Sequence, residues 1–404
     1  MKHLVCLLPV ALSGCVFSAS LDELPESEGN NTVDVGVNNI ADAGLDTGSD
    51  ADVGVDPECN LETELSPRSA LGRLGMQVDW RNDQMVAVVD VSSEYLVFLV
   101  DEDGVAPVSL TDVESPTKFG EGTGSFDVAL MSVDPPRFLL AESRGIAKYL
   151  SISTCNAAGT CSKTRPMPDI ETDNQVQVAF VPAVPPAVMI GYATTAPGVD
   201  KSEYSSRFVN VTPPYEFKTG QVFTRLGMYN VEGIDFSHVE GNRFSVAGGG
   251  GFYGFYGYVD DRLATDPTGC GFGTPLLTPY KTKTQRGQNK ALYRTGTQGL
   301  FLSDCATGVS VSPSNSGIID FDFVPVDGGD FATWTETTST TTTVSKGAFV
   351  EGNTLTTIDF GDTSQSNRFV RMGRIGDEIV IVLAGSSIKM IRGTKDQILA
   401  CYGN

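Results

Sequence analysis

The chain has 404 residues, with 50 Asp and Glu against 28 Lys and Arg, for a net charge of −22 at pH 7. Such a balance lacks the electrostatic footprint of a nucleic-acid binder and does not favour docking on anionic membrane surfaces. Only two histidines are present, His3 and His238, which excludes a histidine-rich metal centre.

In chain order, Lys2 and His3 come first, followed by a mostly apolar run from Leu4 to Leu12. That run is too short to span roughly 30 Å of hydrocarbon and fits the apolar region of an export signal. Leu12-Ser13-Gly14-Cys15 then resembles the bacterial lipobox. The resemblance implies cleavage between Gly14 and Cys15, a diacylglyceryl group on the Cys15 thiol and an acylated new amine. Two or more acyl chains anchor a protein durably in a lipid bilayer. Val16 stands where an Asp would signal inner-membrane retention, which implies the outer membrane, on its periplasmic or cell-surface side.

Between Val16 and Glu64 there are thirteen Asp and Glu and no Lys or Arg. Asp50, Asp52 and Asp56 approach the spacing of a calcium loop. Gly54, however, occupies a ligand position, so incidental weak Ca2+ binding is the most this segment supports. Self-repulsion, glycine and few large apolar residues predict an extended tether. The segment resembles the Asp-Ala-Gly-rich spacers of myxobacterial and related deltaproteobacterial lipoproteins. The expected organisation is a signal over 1–14, a lipidated cysteine and tether over 15–64, and a folded domain over 65–404, with no resident cofactor or metal.

Beyond the tether, short β-rich runs follow one another, among them "QMVAVVDV", "YLVFLVD", "RFLLAES", "RFSVAGG", "GLFLSD" and "EIVIVLAG". Gly, Pro, Asp, Asn or Ser bounds each run. No helical period persists over twelve residues, which predicts an all-β chain. An apolar-Asp-apolar or similar opening recurs at Val78-Asp79-Trp80, Phe126-Asp127-Val128, Val176-Gln177-Val178, Ile234-Asp235-Phe236 and Phe321-Asp322-Phe323. A poorer copy lies at Phe369-Val370, and the wide interval before Phe321 leaves room for another around Lys290 to Leu302. Units of about 40–50 residues point to a β-propeller of six to eight blades, seven fitting best. Tandem β-sandwich domains are the alternative. The Trp-Asp and Gly-His pairs of WD40 blades are missing. "RFSVAGGGGFYGFYGYVDD" looks like a single kelch blade, and "DGGDFATW" lacks the spacings of a sialidase Asp-box.

Cys6 leaves with the signal and Cys15 is lipidated, so six cysteines remain: Cys59, Cys155, Cys161, Cys270, Cys305 and Cys401. An even set in an exported protein predicts disulfides, and zinc spacing is lacking. Cys155 and Cys161 flank a short turn. Cys59 and Cys401 lie near the ends of the folded part, where a ring must close, and Cys270–Cys305 follows by elimination.

Four carboxylates near the starts of inner strands, Asp79, Asp127, Asp235 and Asp322, are the candidates for glycoside hydrolysis across a channel. An Asp at equivalent blade positions is more often a turn or cap device. Phe252, Tyr253, Phe255 and Tyr256 alternate with glycines and offer either a stacking surface for a sugar or peptide, or hairpin packing. His238 reads as a surface or hairpin residue, and no Gly-x-Ser-x-Gly elbow accompanies it. "TETTSTTTTVSK" reads as a polar edge strand or hairpin arm. The chain is expected to act as a binding or scaffold module for a protein or glycan, with a carboxylate-dependent hydrolase or lyase as the alternative.

Overall fold

The computed structural model describes residues 59–403 apart from connecting segments, the longest being 112–124, 211–224 and 361–368. The signal, Cys15 and the acidic stretch up to residue 58 lie outside the described residues.

Twenty-eight strands and one short helix form seven four-stranded antiparallel sheets among the described residues. Six sheets consist of four consecutive strands. They begin at β2 (Met76–Arg81), β6 (Ser125–Val133), β10 (Val176–Val181), β14 (Glu232–Glu240), β18 (Pro279–Thr284) and β22 (Ile318–Val326). The seventh combines β26 (Phe369–Ile375), β27 (Glu378–Ala384) and β28 (Ile388–Gly393) with β1 (Glu62–Ser66) as its outer strand. Each first strand touches the first strand of the next sheet, and β26 touches β2, so the circuit closes although no single sheet does. The protein is a β-propeller, and tandem sandwiches are ruled out by that circuit.

Tight hairpins set the register. β2 pairs with β3 (Gln84–Asp90) from Arg81 opposite Gln84, leaving two residues for the turn. Asn82 takes φ of 52° there, a left-handed conformation that Asn tolerates better than most residues. In the last sheet Ile375 faces Glu378 and Gly376 takes φ of 56°, the same solution with glycine.

The core lies between sheets, so middle strands are buried on both faces. Along β3, Met85, Ala87 and Val89 pack with Val380, Val382 and Met390 of the last sheet. Val86 and Val88 face the other way, onto Phe126, Val128 and Leu130 of the next sheet. Two buried faces explain why "QMVAVVDV" is a nearly continuous apolar run.

One expectation needs correction, and two are made more specific. The inner strand of the interval before Phe321 is β18, at Pro279–Thr284; Lys290 to Leu302 holds the second and third strands of that sheet, β19 (Ala291–Thr295) and β20 (Gly299–Ser303). "PYKTKT" carries no apolar-Asp-apolar signature, so it was invisible to that pattern. The all-β reading holds, with one short addition: α1 spans Lys395–Tyr402 and is opened by a capping box between Thr394 and Gln397. The Thr-rich run is a hairpin arm and not an edge strand. It joins β23 (Gly329–Thr337) to β24 (Thr343–Glu351), the two middle strands of their sheet, and Thr335, Thr343 and Ser345 are buried.

Two disulfides are formed among the described residues. Cys155 and Cys161 face each other across the hairpin of β8 (Tyr149–Asn156) and β9 (Cys161–Glu171). Cys59 bonds Cys401 with Cα atoms 5.5 Å apart, joining the root of β1 to α1. Cys270 lies in β17 (Thr268–Gly271), whereas Cys305 is outside the described residues.

Candidate functional site: the polar ring at the propeller axis

The first strand of each sheet turns polar side chains toward the next sheet and the central cavity. Four of them are the carboxylates singled out from sequence: Asp79, Asp127, Asp235 and Asp322 all line that cavity. Each reaches across a blade boundary to a backbone N–H about fifty residues further on. Asp79 Oδ2 accepts from the Leu130 N–H at 2.6 Å, and Asp127 Oδ2 accepts from the Val178 N–H at 2.7 Å. Asp235 Oδ2 accepts from both the N–H and the hydroxyl of Thr284, at 2.5 and 3.1 Å. Asp322 Oδ2 accepts from the Met372 N–H at 2.9 Å, and its neighbour Asp320 accepts from the Val370 N–H at 3.0 Å. An inner strand has one edge with no ladder partner, and these carboxylates satisfy donors on that edge. The recurring Asp is therefore a strut between blades, a structural role different from the turn or cap device expected.

In the remaining three sheets the equivalent position holds a longer donor. Gln177, with its amide nitrogen turned to the acids, donates to Asp127 at 3.1 Å and to Asp235 at 2.8 Å. Gln285, just past β18, donates to Asp322 at 3.0 Å. Arg371 on β26 donates from Nη1 to Asp320 at 2.5 Å and to the Val370 carbonyl at 2.6 Å, and from Nε to Gln77 at 3.2 Å. Acid and donor thus alternate around the ring, from Asp127 through Gln177, Asp235, Gln285 and Asp322 to Arg371. Seven is odd, so alternation must fail once. It fails between β2 and β6, where Asp79 and Asp127 are consecutive.

Arg371 is 5 % exposed. Burial alone would pull its guanidinium below the ordinary value, but Asp320, then Asp322 and Asp235, outweigh that and raise it. The cavity holds about 70 Å³, and Trp80, Ser237 and His238 also line it. Among the described residues no group of three or more His, Cys, Asp and Glu is arranged to hold a metal ion.

His238 meets one half of its expectation. It lies in β14, two residues before the hairpin turn to the next strand, but is buried beside the cavity and not on the surface. The aromatic candidates are placed elsewhere. Tyr253, Phe255 and Tyr256 belong to β16 (Tyr253–Asp260), the third strand of its sheet, with Phe255 opposite Gly248 and Gly271. Phe252 lies outside the described residues. Sequence reading missed Gln285, Asp320 and Arg371. Arg371 follows the poorer opening at Phe369-Val370 and Asp320 sits two residues before Asp322, so a strict search at strand parity would have found both.

No protein-family model and no curated protein sequence matches the chain. Solved structures do. Raptor of Chaetomium thermophilum is similar over 80 % of this chain at 12 % identity, with a TM-score of 0.50. This chain spans 29 % of Raptor's length. The Dos1 propeller covers 79 % of this chain and 78 % of its own at 10 % identity, TM-score 0.47. The Aleuria aurantia lectin, a six-bladed β-propeller with fucose recognition, covers 70 % and 94 % at 8 % identity, TM-score 0.47. At these identities the likeness is one of fold.

Proposed function

We propose that the protein is an exported lipoprotein, anchored to the outer membrane through Cys15, whose propeller serves as a binding or scaffold module and not as a carboxylate-dependent hydrolase or lyase. One observation carries this choice: every carboxylate singled out as a catalyst holds an adjacent blade by its backbone. A glycosidase needs two carboxyl groups able to engage the scissile bond or a water. Swinging any of these four toward a substrate would break a contact that joins two blades. The lipobox and acidic spacer support the anchored setting.

Incubation of the detergent-solubilised protein with a panel of neutral and acidic polysaccharides decides between module and enzyme. No new reducing ends and no unsaturated products are expected. Cleavage that disappears in Asp127→Asn or Asp235→Asn protein of unchanged melting temperature would overturn the module reading. Cys15→Ser is expected to abolish acyl labelling and to move the protein out of the membrane fraction; unchanged membrane retention would remove the anchor.

A further inference from the structure

We propose that the Cys59–Cys401 bond is a redox-operated latch: exchange with an external dithiol frees β1 to swing away from the last sheet while the other strands stay in place. The inference goes beyond the module reading and does not depend on it. The two disulfides differ in access and in what they join. Cys155 and Cys161 are 1 % and 5 % exposed, and their bond spans one hairpin turn. Cys59 is exposed and Cys401 partly exposed, and their bond ties the outer strand of the last sheet to α1. A thiolate must reach a sulfur to attack it, so of the two bonds the second is open to exchange.

The parts on either side of that bond are held unequally. α1 is seated on the sixth sheet: Ile398 is fully buried, Tyr402 packs on Phe360, Lys395 pairs with Glu351, and Gly403 bridges Ile358 of β25 (Thr354–Asp359). β1 is held more lightly. Glu62, Thr63 and Glu64 are exposed, and Leu61 and Leu65 are only partly buried. The Arg392 N–H donates to the Leu61 carbonyl at 3.0 Å, and the exposed Glu62 pairs with Lys389, a surface contact of small worth. The ladder to β28 slips between Glu64 and Ser66. Beyond the slip the chain is pinned again: Ser66 is buried, the Ser69 hydroxyl donates to the Gly385 carbonyl at 3.1 Å, and Arg68 pairs with Glu94. The slip and the pinned segment define a hinge, and residues 59–65 form a lever that the disulfide clamps to a seated helix.

In the exchange, one thiolate of the dithiol attacks the sulfur of Cys59, the more exposed residue, and Cys401 leaves as a thiolate and takes up a proton. The second thiol of the reagent then attacks the mixed disulfide, closing the reagent's own disulfide and releasing Cys59 as a thiol. Two electrons and two protons pass to the protein. β1 is then held by its ladder and surface contacts alone. It stays docked on average but opens locally, which uncovers the β28 edge; the reverse exchange clamps it again.

The test uses the full chain in detergent, never denatured, with dithiothreitol as the dithiol. Alkylation and peptide mapping should find Cys59 and Cys401 reduced about tenfold faster, or more, than Cys155 and Cys161. After that reduction, hydrogen exchange should speed about tenfold or more in peptides covering 59–66 and stay unchanged across β26 and β27. Cys59→Ser without reductant should reproduce the same pattern, which separates loss of the bond from other effects of the reagent. Equal reduction of the two disulfides, exchange at 59–66 indifferent to loss of the bond, or exchange rising equally through β26 and β27 would each overturn the latch. None of these outcomes touches the module reading, which falls only if cleavage is found.

Discussion

Arg371 shows how a single residue carries more than its own contacts. It is nearly inaccessible, and three carboxylates from two sheets act on it: Asp320 at hydrogen-bond distance, with Asp322 and Asp235 further off. A buried pair of this kind need not stabilise relative to a packed apolar pair, because desolvation offsets the attraction. Removing one partner is different, since the survivor stays buried and unpaired. Arg371→Met is expected to cost about 3–5 kcal/mol in urea unfolding, and the double change Arg371→Met with Asp320→Asn should cost clearly less than the two single losses added. Additive losses would mean that the two residues act independently. The pH dependence has a definite sign. Because the folded-state value of Arg371 is raised, its contribution is complete below the unfolded value and fades only as pH rises through the folded one. No loss of stability traceable to Arg371 is therefore expected below about pH 12. A base-induced weakening between neutrality and pH 10 that vanished in Arg371→Met would contradict this assignment.

Individual elements were unevenly legible in the sequence. Runs such as "EIVIVLAG" and "YLVFLVD" became strands because both of their faces are buried between sheets, which leaves an unbroken apolar signal. β18 was misplaced because its lysines and threonines carry no apolar-Asp-apolar cue; its position is fixed by Thr284, which meets Asp235, a tertiary contact that local pattern cannot report. The acids of the ring were found and their purpose was not. An Asp that accepts from a neighbouring blade looks, in sequence, like any Asp near a strand start. α1 escaped because eight residues are too few to establish a period, although Thr394 and Gln397 already spell a capping box. That helix is held by its cap, by Ile398 in the core and by Tyr402 against Phe360, with ring centroids 5.1 Å apart. Thr394→Ala removes the side chain that accepts from the Gln397 N–H and should lower stability by about 1 kcal/mol, read as a lower melting temperature. The loss should grow when Cys401 is also changed to Ser, because the disulfide otherwise keeps the frayed helix in place.

Across the whole molecule the decisive feature is closure. A ring of open sheets has a seam between its last and first blades, and here that seam is joined by the first and last described segments. β1 supplies the outer strand of the last sheet, so the earliest described segment completes a blade built from the latest. Lys389 holds Glu62 at 2.5 Å within that sheet. Arg392 pairs with Glu378 at 2.6 Å and donates to the Asp101 carbonyl of the first sheet at 2.6 Å. Cys59 and Cys401 then join covalently over a separation of 342 residues. In the chain-entropy treatment a loop of that length contributes at most about 5–6 kcal/mol, acting on the unfolded ensemble and not on native contacts. Cys401→Ser should therefore lower the urea midpoint substantially while leaving the far-ultraviolet circular dichroism of the folded protein unchanged. Peptide mapping without reductant should recover Cys59 joined to Cys401. A native spectrum altered by the substitution would show that β1 depends on the bond for its place in the last sheet. Cys59 recovered with Cys270 would break the closure described here, because Cys270 belongs to a different sheet from the one that β1 completes.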